Sequence, residues 1–147
     1  MIHVRIPARA LVLIIDGKRA RFLRNKGNAL HIELITERKL EHENPPTREQ
    51  GTDRPGRYLG VDRVSRSAVE QTDWHQQAED RFAVAVADIL YRMAHGHTFD
   101  HLIIVAPAKV LGKLRAAWHP EVATRVVGEV PKELTSRSAT ELAKLLG

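Results

Sequence analysis

Apolar residues fall along this chain in blocks whose period changes several times. Residues 10–16, ALVLIID, form a continuous apolar run of strand length that ends at Asp16, the pattern of a strand buried on both faces. Asp16-Gly17 follows, a dipeptide suited to a tight hairpin because both residues tolerate positive φ. RARFLRN then returns as a second strand. Gly27-Asn28 predicts another turn, and ALHIELITERKL alternates Leu30, Ile32 and Leu34 against His31 and Glu33, a half-buried third strand. Three such strands in succession make an antiparallel meander.

The period changes beyond residue 72. Asp73 with Gln76 three residues on has the form of a capping box. Ala78, Phe82, Val86, Ile89 and Met93 then mark one face of a helix, and Gly96 is expected to stop it in a left-handed conformation. HLIIVA (101–106) reads as a second fully buried strand. Pro107 fits the first turn of a helix carrying Val110, Leu111, Leu114 and Trp118 on one side. RVVGEV (125–130) is a fifth strand, and Ser138 with Glu141 caps a last short helix holding Leu142, Leu145 and Leu146.

The expected order is βββαβαβα. A meander followed by two right-handed crossovers gives a mixed five-stranded sheet covered by helices, an α/β fold of the RNase H-like three-layer kind. Residues 1–147 read as one domain with a long irregular loop at about 44–72. That loop contains three of the seven prolines and three of the nine glycines of the chain between residues 44 and 60. It joins two elements that pack on one sheet, so it is expected to lie inside the domain and not between domains.

Composition narrows the chemistry. There is no cysteine, which removes disulfides, thiolate metal sites and cysteine nucleophiles. No stretch approaches the roughly 20 apolar residues that span a bilayer, and the start lacks the order of a signal peptide, so a cytoplasmic location is expected. The net charge of +5 leans toward polyanionic partners. Its distribution says more: residues 1–30 carry seven Lys/Arg against the single acid Asp16. Phosphate-binding glycine motifs and the G-x-S-x-G elbow are absent, and no cofactor is expected.

Four groups of residues could carry chemistry. Asp16 at the end of the first strand, with Glu79, Asp80 and Asp100, has the placement of a magnesium site in a nuclease, although the turn at Gly17 explains Asp16 equally. His95, His97 and His101 cluster at a helix end where solvation accounts for them without metal. Lys18, Arg19, Arg21 and Arg24 interleave with Phe22 on the hairpin, a pattern that holds phosphates and stacks a base, or else a strand with one wet face whose Phe22 is core. In the loop, DRPGR places Arg54 and Arg57 about a Pro55-Gly56 turn, where they could fork onto a phosphate or carboxylate, with Gln50 upstream.

LVLIIDGKRARFLRN, DRPGR, RFAVAVADIL, FDHLIIVAPAKVLGKLR and VPKELT, in that order from about residue 10 to 146, resemble the bacterial host attachment family. That resemblance implies a role in attachment to host cells. More distantly, the chain is similar to the middle domain of archaeal and eukaryotic peptide-release factors. In those proteins the segment between the third strand and the long helix carries a Gly-Gly-Gln that orients the hydrolytic water. The corresponding segment here holds Glu49-Gln50-Gly51 and no Gly-Gly pair. The leading expectation is therefore a non-catalytic binding module for RNA or ribosomes, acting through the basic hairpin and through Gln50, Arg54, Gly56 and Arg57. The alternatives are a hydrolase of a tRNA-linked ester, a metal-dependent nuclease, and an attachment factor at the cell surface.

Overall fold

All five residues of β1 (Leu11–Ile15) are apolar and none has exposed surface. A strand that requires burial on both faces belongs in the interior of a sheet. β1 pairs antiparallel with β2 (Arg19–Asn25) and parallel with β4 (Leu102–Val105). β2 continues antiparallel to β3 (Leu34–Glu41), and β4 parallel to β5 (Val126–Val130). The computed structural model describes residues 3–41 and 60–147, and in it the strand order is β3-β2-β1-β4-β5. This is the expected mixed five-stranded sheet of an α/β fold, and its order is compatible with the RNase H-like arrangement.

Strand alternation sorts the core into two layers. Leu11, Leu13, Ile15, Phe22, Leu102 and Ile104 face α1 (Gly60–His95) and α2 (Ala108–Ala117). Val12, Ile14, Leu23, Ile103 and Val105 face the other way, toward Leu142 and Leu146, with Ile6 of the N-terminal segment. A fully buried Leu, Ile or Phe contributes roughly 1.5–3 kcal/mol relative to exposure, so both layers are substantial. Among the described residues no helix is long and apolar enough to cross a membrane.

Several local expectations change. β3 begins at Leu34, not at Ala29, and Leu30 is 88% exposed. Asn28 is the reason: its side-chain oxygen accepts from the Leu30 and His31 amides at 2.9 and 2.8 Å, folding 28–31 into a turn before the strand starts. α1 begins at Gly60, well ahead of Asp73, which is therefore interior to the helix and no N-cap. Residues 60–73 contain only Val61, Val64, Ala68 and Val69 as apolar residues; three of them fall at helical spacings of 3 and 4, a ridge too sparse to stand out among the polar residues. The buried ridge of α1 runs through Phe82, Val86, Leu90 and Ala94, while Ile89 and Met93 flank it half-buried.

Two turns use a different device from the one expected. No glycine in the described residues has positive φ. The Asp16 carboxylate makes the first turn, accepting from the Lys18 and Arg19 amides at 2.7 Å each. Gly17 leaves room there for Glu79, since a Cβ would lie 2.8 Å from the Glu79 carboxyl and displace that side chain. At the end of α1 the left-handed residue is His97, not Gly96. Between α2 and β5 there is an additional helical turn, α3 (Pro120–Ala123), started by Pro120 and capped by the His119 ring, which accepts from the Glu121 amide at 3.0 Å. The last helix, α4 (Ala139–Leu146), carries the expected capping box between Ser138 and Glu141.

Candidate functional site

The hairpin register decides which cations meet. Arg19 pairs with Glu41, Ala20 with Leu40 and Arg21 with Lys39. Residues paired across an antiparallel ladder share a face, so Arg19, Arg21 and Lys39 project together on the side covered by α4. Directly opposite like charges destabilise a ladder, and Arg21–Lys39 is such a pair. From the other wall come Thr135, Ser136, Arg137 and the capped start of α4 at Ser138. Together they enclose a cleft of about 700 Å³ with Glu41 and Glu141 at its margin.

The charges in this cleft are held unevenly. Arg19 and Lys39 are exposed, and neither makes a side-chain ion pair among the described residues. Arg21 is half-buried: one guanidinium nitrogen donates to the Arg137 carbonyl, another reaches the Thr36 hydroxyl at 3.4 Å, and its buried Nε–H has no partner among the described residues. Buried donors without acceptors are rare enough to need a reason. Arg137 bonds Glu141 at 3.4 Å. The Ser138 amide and hydroxyl, with Arg137 beside them, hold the Glu141 carboxyl below its ordinary range.

The four hairpin residues singled out in the sequence therefore separate. Arg19 and Arg21 line the cleft, and Lys18 stands exposed in the adjoining turn. Arg24 lies at the opposite end of β2, where its guanidinium bonds Glu37 at 3.1 Å and the carbonyls of Arg9 and Thr98 at 3.1 and 2.8 Å. Phe22 is core and stacks on no ligand face. Gln50, Arg54, Gly56 and Arg57 lie outside the described residues. The segment that bears them departs from Glu41, itself a lining residue of the cleft.

Three of the four acidic candidates are engaged elsewhere, and Asp100 lines a different cleft. Beyond its two amide bonds, Asp16 accepts from the Thr135 hydroxyl at 2.8 Å. Burial pushes its carboxyl pKa up, but the Lys18 and Arg19 amides, the Thr135 hydroxyl and the Arg19 charge outweigh it and hold the group below the ordinary aspartate value. Glu79 and Asp80 clasp Lys113 of α2 at 3.2 and 2.9 Å. Burial there opposes the Lys113 charge, yet the two carboxylates raise its pKa on balance. Among the described residues no three His, Asp or Glu side chains are grouped to hold a metal ion.

Asp16 thus works as a turn-forming and strand-bridging group. Its native pKa lies below its unfolded one, so its contribution is complete above the unfolded value and is lost as pH falls through the native value. Asp16→Ala is expected to cost about 1–2 kcal/mol near neutral pH, and the gap from wild type should narrow in acid. Urea unfolding at neutral pH and near pH 3 checks this; a gap that widens in acid would contradict it.

The sequence reading missed Lys39, Ser136 and Arg137. A signal for Lys39 existed in the register of the hairpin, but it could be read only after placing the start of β3 correctly. Arg137 meets Arg21 across 116 residues, and no local pattern announces that approach. Among curated proteins none matches the chain. The model of bacterial archaeo-eukaryotic release factor family 12 matches residues 9–146, nearly the full length, and the chain belongs to that family.

Proposed function

We propose that this protein is a non-catalytic module that binds RNA, and ribosomal RNA first of all, through the cleft between the β2–β3 hairpin and the start of α4. The observation that carries the reading is the Arg21–Lys39 pair. A like-charged cross-strand pair with Arg19 beside it is unfavourable by itself and becomes favourable when phosphates lie between the cations. The exposed Ser136 hydroxyl adds a donor to the same face. Membership of a release-factor-like family suits a ribosomal partner. The segment between β3 and α1 would extend the contact through Arg54 and Arg57. Without a Gly-Gly pair in the chain, nothing reproduces the catalytic tip of release factors.

Co-sedimentation with ribosomes and binding to a single-stranded RNA oligonucleotide over a salt series test this reading. Affinity should fall steeply with salt, and the triple substitution Arg19→Ala/Lys39→Ala/Arg137→Ala should reduce the log–log slope by about 2, since each phosphate that is no longer neutralised removes roughly 0.7. Arg54→Ala/Arg57→Ala should weaken binding further. Absence of binding at low salt would remove the proposal.

A further inference from the structure

Two residues other than glycine hold positive φ in the described residues, Arg9 at 65° and His97 at 57°. Each has a local explanation for its backbone but not for its side chain. Arg9 is the third residue of a turn closed by the Ala10 amide donating to the Pro7 carbonyl at 3.1 Å. His97 occupies the left-handed position of a Schellman ending on α1, with its own amide bonded to the Ala94 carbonyl at 3.0 Å and the Thr98 amide to the Met93 carbonyl at 2.9 Å. Glycine is the residue that fits both positions without steric cost, and a side chain there meets a penalty. Both residues nevertheless carry basic side chains, and both line the same cleft of about 650 Å³ at the far end of β2 from the RNA-binding face proposed above.

Strained residues that converge on one cavity point to a function for that cavity. Lys26 and His101 line it as well, with Glu37 and Asp100 as the carboxylates. Glu37 is neutralised by Arg24 at 3.1 Å and Lys26 at 3.7 Å. At the end of α1, Met93 O accepts from the Thr98 hydroxyl at 2.8 Å. Beyond the helix, Thr98 O accepts from Arg24 at 2.8 Å, which sets another guanidinium in this wall of the cleft. Arg9, His97 and His101 make no side-chain hydrogen bond among the described residues.

We propose that this cleft is a binding site for a phosphate group, held by Arg9, His97 and His101 with Lys26 at the rim, and that Arg9 and His97 keep their strained backbones in order to present these side chains. A planar guanidinium beside imidazole donors suits a tetrahedral oxyanion. Asp100, the lining carboxylate without an ion pair among the described residues, limits the affinity.

The probe is inorganic phosphate, titrated into the full chain and followed by amide and imidazole NMR shifts, alongside thermal unfolding of variants. Shifts are expected at Arg9, His97 and His101. Arg9→Gly and His97→Gly should each weaken phosphate binding about tenfold, the worth of one charge-assisted hydrogen bond. With phosphate absent, the same variants should unfold about 1–3 °C higher, because glycine relieves the strain. Asp100→Asn should tighten binding. Shifts confined to Arg19, Lys39 and Arg137, unchanged affinity in both glycine variants, lower melting temperatures in them, or weaker binding by Asp100→Asn would each overturn the proposal. RNA affinity should be unchanged by Arg9→Gly, which separates the failure of this site from failure of the hairpin cleft.

Discussion

Asn25→Ala is expected to lower the unfolding free energy by about 3–5 kcal/mol, more than any polar surface change in this protein. Asn25 has no exposed surface. Its amide nitrogen donates to the carbonyls of Ile6, Pro7 and Asn28 at 3.1, 3.2 and 3.2 Å. Its side-chain oxygen accepts from the Gly27 and Glu33 amides at 2.9 and 3.0 Å. One side chain thereby joins the N-terminal segment, the end of β2 and the turn leading to β3. Alanine leaves several backbone groups without partners in a space closed to bulk water, and each such group costs roughly 1–3 kcal/mol, partly recovered by relaxation. Asn25→Asp should be worse than alanine near neutral pH, because a carboxylate would face three carbonyls. It should recover partly in acid, where a protonated carboxyl can donate. Denaturant unfolding measures all three chains; a loss under about 1 kcal/mol for alanine would show that water replaces the amide and that the hub is dispensable.

Gly27→Ala should cost about 2–4 kcal/mol, although the residue lies in a surface turn. A Cβ there would fall 1.9 Å from the His31 carbonyl oxygen and 3.2 Å from the Glu33 amide nitrogen, both backbone atoms that no rotamer change can move. Relief requires opening the turn, which breaks the bonds from the Lys26 amide to Glu33 at 2.8 Å and from the Asn28 amide to His31 at 3.0 Å. The same chemical change at Gly112 should have the opposite sign. Gly112 is exposed in the middle of α2, nothing lies within 4 Å of its Cβ position, and alanine there should stabilise by about 0.5–1 kcal/mol. Thermal unfolding of the two variants side by side is the check; if both move the midpoint in one direction, the packing argument fails.

These two sites show where the sequence is legible. The apolar runs 11–15 and 102–105 are unbroken and short, so they identify the interior strands directly, and the order of elements then constrains the sheet. The Ser138–Glu141 box is a local signal and predicts its helix correctly. The start of β3 is misread because the alternation of Leu30, Ile32 and Leu34 looks like a strand when the Asn28 and Asn25 side-chain bonds are unknown. The start of α1 is missed because its first turns carry few and small apolar residues, a weak version of the period that marks a helix. Within the hairpin, the charge count picks out Arg19 and Arg21 but cannot separate them from Arg24, whose guanidinium is engaged by groups distant in the chain.

The sequence by itself determined the fold class, the meander followed by crossovers, and the concentration of cations near the first hairpin, because hydrophobic period and charge are local properties. Only the tertiary structure decided which cations share a face, that Arg137 joins them, that Asp16 is bound by Thr135, and that Arg9 and His97 line one cleft. Those facts depend on strand register and on approaches across as many as 119 residues, which follow from how whole layers pack and not from any neighbouring pattern.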